Sequence, residues 1–155
     1  MSSTFLYRLP VEQTQWKVEG QTTTAFTWEY EDGGADLLRL YAKGKKQQWD
    51  AAERLDWSLP VDPDNPMGLD DRTIAIFNTP LWNGLSDKDK AHVRRNLQAH
   101  TLSQFMHGEQ GALICTARIV ETVPWIDAKY YASTQVMDEA RHVEVFARYL
   151  DEKLT

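Results

Sequence analysis

Among 155 residues there is one cysteine, Cys115. A single thiol excludes an internal disulfide and fits a reducing compartment; Cys115 itself reads as a small core residue. No run approaches the ~18–20 apolar residues that a membrane span requires. The opening stretch MSSTFLYRLPVEQTQW lacks the basic start and apolar centre of a secretory signal. A cytoplasmic location follows as the expectation. Positive charge is also scarce. Lys and Arg number 17 against 23 Asp and Glu, and the net charge of −6 argues against nucleic acid and against an anionic membrane surface as partners. Internal repeats and low-complexity tracts are absent.

What is present is ordinary in amount but not in kind. Apolar residues make up 42% and charged residues 26%, which suits one globular domain over residues 1–155. Six Trp and six Tyr point to an interior or an interface rich in aromatics.

Residues 1–34 read as an irregular lead-in, with a short extended piece at TTTAFTWEY and a turn at EDGGAD. A first helix is expected from about Asp36 to Ala52, with Leu37, Leu40, Tyr41 and Trp49 on its buried stripe. Gly44 weakens that helix. Residues 55–70 form a Pro-rich loop, because the Asp-Pro and Asn-Pro steps forbid regular helix. A short helix is expected from Asp71 to Phe77. Ser86 then caps a long helix, with Asp87 and Asp89 in its first turn, running to about Thr122. Pro124 ends it. A second long helix runs from about Ile126 to the C-terminus. Its expected buried stripe is Tyr130, Gln135, Val136, Glu139, His142, Val143, Phe146 and Leu150, with Arg141 on another face. A short turn joins the two as an antiparallel hairpin in an all-α fold.

Glu139 and His142 stand three residues apart, on one helix face among Val136, Val143 and Phe146. An unpaired carboxylate there costs several kcal/mol or takes up a proton. A divalent metal satisfies both groups at once. Glu109, four residues after Phe105 and four before Leu113, also points along an apolar stripe and can face Glu139 across the hairpin. One Glu plus a Glu-x-x-His motif is half of a ferritin-like dinuclear site, and such carboxylate-rich ligation suits iron or manganese. Asp138 could accept a proton from a metal-bound histidine of the opposing half, and Arg141 could pair with a buried carboxylate. Gly108, Ala112 and Thr116 are small enough to leave a substrate cavity, or simply to permit close helix packing. The competing reading makes Glu139 and Arg141 surface charges and His142 a core histidine. His92, His100 and His107 read as solvent-facing.

The stretch GEQGAL followed by MDEARHVEVFARYL resembles the first half of the ferritin-like di-iron carboxylate proteins, in particular the oxygenases and the small subunit of class I ribonucleotide reductase. The resemblance extends loosely over residues 36–150. It implies a helical bundle holding two iron ions, or iron with manganese, that react with dioxygen. It implies that Glu109, Glu139 and His142 bind metal, that Glu139 bridges both ions, and that Asp138 and Arg141 orient the site. The expected activity is oxidation of a small organic substrate by dioxygen, with electrons from a donor the residues do not identify. A ferroxidase of the iron-handling kind and a structural subunit with an incomplete site are the alternatives.

The family supplies a second Glu and a second Glu-x-x-His, and no second Glu-x-x-His occurs here. The complementary half is therefore expected from another chain, from the rest of a longer polypeptide, or from a second copy. The long lead-in favours a missing half over a minimal dimeric bundle.

Overall fold

The computed structural model describes residue 15, residues 17–31 and residues 33–154. The readings made on residues 1–14 lie outside these. Helix α1 spans Ala35–Gln47 and the short α2 spans Ala51–Arg54. A single 3-10 turn, Asp71–Thr73, is followed by α3, Pro80–Gly84. Two long helices complete the fold: α4, Asp87–Thr122, and α5, Ile126–Tyr149, which widens into a π-helical turn over Leu150–Leu154. No β-strand occurs among the described residues. The fold is an all-α bundle.

Helix α4 begins as its sequence indicates. The Ser86 hydroxyl accepts from the Asp89 backbone N–H, and the Asp89 carboxylate accepts from the Ser86 backbone N–H and hydroxyl. This reciprocal cap satisfies donors that the first turn leaves open. At 36 residues α4 is ~54 Å long. Helix α5 returns antiparallel beside it. Phe105 stacks on Phe146, and Arg95 donates to the Leu154 carbonyl. At the turn, the Lys129 ammonium donates to the Val120 carbonyl at 2.7 Å, placing a cation at the negative end of α4.

Helix α1 packs parallel to α5, on the side away from α4. Gly44 lies against Thr134, and Tyr41 stacks on Tyr130 with centroids 5.3 Å apart. The Gly34 N-cap of α1 has no side chain to close it. Asp127, buried in the first turn of α5, instead holds the backbone that leads into α1, accepting from the Gly33 and Gly34 N–H groups at 3.1 and 2.6 Å.

The irregular segment 55–70 is strapped down from both long helices. Buried Gln98 accepts from Met67 N–H at 2.6 Å and donates to Asn65 at 2.9 Å. From the far end, Lys153 donates to the carbonyls of Trp57 and Leu59.

Four expectations are corrected. The first helix stops at Gln47 instead of Ala52, because Gln48 adopts an extended backbone and Asp50 caps a separate turn by accepting from Ala52 N–H. Asp71–Phe77 holds only one 3-10 turn. The helix lies after it, where Pro80 starts α3 behind a Thr79 cap; proline is favourable at the first helical position because no N–H is needed there. Cys115 is exposed and not a core residue. Arg141, expected on an outer face, is among the most buried residues of α5.

Candidate metal centre

Glu109 projects from the middle of α4, and Glu139 and His142 from adjacent turns of α5. The antiparallel pairing brings all three together. His142 Nδ1 lies 3.2 Å from Glu109 Oε2 and 3.1 Å from Glu139 Oε2. One ligand atom from each residue falls within 4.8 Å of the other two. The three side chains are half-buried, with Glu139 the most enclosed at 19% exposure and His142 the most open at 43%.

The electrostatics fit a cation. Burial pushes the Glu139 carboxyl above its ordinary value of 4.5, the hydrogen bond it shares with Glu109 pushes the same way, and His142 pulls it back. Two carboxylates and an imidazole nitrogen thus meet where protons alone must relieve like-charge repulsion. A divalent ion replaces those protons with a positive charge acceptable to all three donors. The set is carboxylate-rich with one imidazole, which suits iron or manganese.

Asp138 and Arg141 lie on the α1 side of α5. The Arg141 guanidinium, 5% exposed, pairs with Asp138. It also donates to Gln48 Oε1 at 2.9 Å and to the Trp49 carbonyl at 2.8 Å, and stacks over the Trp49 ring at 4.6 Å. Gln48 in turn donates to Asp138 at 3.3 Å. The carboxylate that Arg141 meets is therefore its own neighbour one turn back, and Asp138 is engaged within the chain. This network ties one face of α5 to the end of α1, and His142, one position on from Arg141, is turned from that face by about 100°.

Gly108 faces open space, since a Cβ there would meet nothing within 4 Å. Ala112 is half-buried beside it, and the half-buried Thr116 hydroxyl donates back to the Ala112 carbonyl at 2.7 Å. At Gly108 no described residue of this chain closes a cavity. His92, His100 and His107 are exposed.

Sequence reasoning missed the positioning residues Gln48, Gln98 and Asp127. All are polar groups in contacts between elements far apart in the chain, and hydrophobic periodicity carries no signal for them. The abrupt Gln-Gln-Trp-Asp sequence after the lysines of α1 is the one local sign that the helix breaks there to present backbone.

No curated protein and no solved structure matches the chain. Residues 32–153, which include all three converging side chains, match the family described as p-aminobenzoate N-oxygenase AurF. The match spans most of the chain and joins an all-α bundle to a metal-competent cluster on its long hairpin, and on that ground the chain belongs to the AurF oxygenase family.

Proposed function

We propose that Glu109, Glu139 and His142 are ligands of a dinuclear iron centre, and that the completed assembly uses dioxygen to oxidise a small organic substrate. The observation that carries this reading is the convergence of the three ligand atoms within 4.8 Å across the hairpin. Three ligands are half of a ferritin-like set, so the reading includes a complementary helical half that brings another Glu and Glu-x-x-His. The family's description supports an aromatic amine of the p-aminobenzoate kind as substrate class and oxygen transfer to its nitrogen as the reaction.

When bound, the metals supply the redox chemistry with dioxygen. This chain supplies geometry and charge. Glu139 and Glu109 offer carboxylates held together at the centre of α4 and α5, and the Arg141 network ties another face of α5 to the end of α1. His142 holds the more open edge of the cluster, where the complementary half closes it.

The test is metal loading followed by turnover. The purified assembly, given iron(II) without oxygen, is expected to bind about two iron atoms per complete site. Glu139→Ala is expected to abolish that binding with helicity retained. Oxygen and an arylamine should then yield a product heavier by oxygen, read by mass spectrometry. Wild-type protein that takes up neither iron nor manganese sinks the reading. Uptake followed only by ferric mineral would place the chain with the iron-handling proteins.

A further inference from the structure

The chain's scarce positive charge is unevenly placed. Arg39, Lys43, Lys45 and Lys46, four of the 17 Lys and Arg, fall between Leu37 and Trp49 with no Asp or Glu among them. Five arginines meet a carboxylate: Arg39 pairs with Asp36, Arg72 with Asp70, Arg94 with Asp71, Arg141 with Asp138 and Arg148 with Glu152. Lys43, Lys45, Lys46 and Arg54 form no ion pair among the described residues, and all four are exposed. They stand at the end of α1 and on α2. The Lys45 ammonium lies 4.3 Å from the centre of the Tyr41 ring, and the Arg54 guanidinium 5.8 Å from that of Trp49. Lys46, Gln47, Gln48, Trp49 and Arg54 line an open cleft of about 540 Å³. The helix dipole accounts for Lys45 and Lys46, in the last turn of α1. It does not account for Lys43, which stands outside that turn, or for the cleft that Lys46 and Arg54 line together.

We infer that this patch docks an acidic one-electron carrier protein, of the ferredoxin or flavodoxin kind, which supplies the electrons of the oxygenation. Charge complementarity selects the partner's sign. On a chain of net −6, most of the surface repels an acidic protein, and an unpaired cationic cluster steers one to itself. Exposed Glu53 and Asp56 flank the patch. An extended polyanion such as nucleic acid meets like charge there, whereas a compact protein presents its acids only where the lysines are.

Position selects the partner's role. Trp49, in the wall of the cleft, lies under the Arg141 guanidinium at 4.6 Å, and its carbonyl accepts from that group at 2.8 Å. Arg141 stands between Glu139 and His142 in the sequence, on the stretch of α5 that carries two of the three converging side chains. One packed side chain therefore separates a carrier seated at the cleft from that stretch. Oxygen transfer from dioxygen to an amine nitrogen needs such a carrier. One oxygen atom enters an N–H bond to give a hydroxylamine and the other leaves as water. The balance takes two electrons and two protons that neither the amine nor dioxygen brings. Two reduced carriers in turn, each giving one electron, supply the electrons, and solvent supplies the protons. The inference rests on the functional reading above for the carrier's task and on the charge pattern alone for the surface.

The test uses the purified assembly, with and without iron, and two acidic probes, a plant-type ferredoxin and a flavodoxin. Calorimetry at low salt is expected to show binding of at least one of them, weakening as salt screens the charges. Lys43→Glu combined with Lys46→Glu is expected to weaken binding by about tenfold or more with unchanged helicity. Lys43→Gln combined with Lys46→Gln, which removes the charges without reversing them, is expected to weaken it less. Lys88→Glu, exposed in the first turn of α4 and outside the patch, is expected to leave it unchanged. In iron-loaded protein without oxygen, reduction of ferric iron by the reduced carrier should slow by the same factor in the charge-reversed variant. Reduction by dithionite, which needs no docking surface, should change little.

Failure of both carriers to bind at low salt overturns the inference, whether or not the assembly holds iron. Binding that the charge reversal leaves intact overturns this patch as the surface. A short DNA duplex bound through the same lysines as tightly as either carrier overturns the choice of a protein partner. Binding without reduction of iron that the assembly holds overturns the carrier's role. Binding to an assembly that takes up no iron upholds the surface and overturns the metal reading instead.

Discussion

Replacing Gly44 with alanine sets helix propensity against packing, and the structure decides the sign. Gly44 sits inside α1, an exposed-to-half-buried helix where glycine is unfavourable by about 1 kcal/mol relative to alanine. Propensity alone therefore forecasts a stabilised protein. The added Cβ, however, would lie 2.9 Å from Thr134 Oγ1 and 3.1 Å from both Thr134 Cβ and Cγ2. Thr134 is buried on α5, and its Cβ cannot move without its helix. Overpacking of this kind costs about 1–3 kcal/mol. The net expectation is destabilisation by about 1 kcal/mol, or a Tm lower by roughly 2–4 °C for a chain of this size. Urea and thermal unfolding followed by far-ultraviolet circular dichroism measure it. Thr134→Ala removes two of the three clashing atoms, so the double variant should recover part of the loss, a coupling seen only between touching residues. A Gly44→Ala protein more stable than wild type by about 1 kcal/mol would refute the close approach of α1 to α5.

Arg141→Ala should be the costliest single change away from the ligands. It strands the Trp49 carbonyl, Gln48 and Asp138 at once, for about 3 kcal/mol once the partial exposure of Asp138 is allowed for; a loss under about 1 kcal/mol would remove the network from the account of how α5 is held to the end of α1. Gln98→Leu leaves the Met67 N–H without its acceptor and should cost about 1–3 kcal/mol, with earlier proteolysis inside 55–70 as a second readout. Without metal, Glu139 has a folded-state pKa above its unfolded one. The folded protein then holds the extra proton, so stability should fall as pH rises from about 4.5 through the raised value. Glu139→Gln should flatten that part of the profile in metal-free protein, and iron(II) should stabilise the wild type more at neutral pH than at pH near 5. An unchanged profile in Glu139→Gln would assign the titration to other groups.

The hairpin was legible because its signals are local. Ser86 and Asp89 stand where a cap requires them, Pro124 marks the turn, and the apolar repeat persists for many turns on either side. The meeting of Glu109 with Glu139 and His142 was legible for the same reason: two long helices joined by a tight turn have only one register, and residue counting finds which positions share a level. Where local signals conflict, the reading failed. A helix was expected over Asp71–Phe77, but the helix there starts at Pro80, since proline's missing N–H is harmless at the first position and its φ suits the helix. The residues before it took the single turn of Asp71–Thr73 instead.

Arg141 shows what lies beyond the sequence. Its charge places it on a solvated face by every local rule, yet it is buried. The broken end of α1 offers it a carbonyl, an amide oxygen and an indole ring, and Asp138 neutralises it. Buried Gln98 and Asp127 are the same case, each bonded to backbone some 30 to 90 residues away. The sequence by itself determined the long helices, their pairing and the three donors on their shared face, because caps, periodicity and a short turn act over a few residues. Only the tertiary structure decided which side of α5 belongs to α1 and which polar groups are buried. The reason is that burial of a polar group depends on partners that distant parts of the chain bring to it.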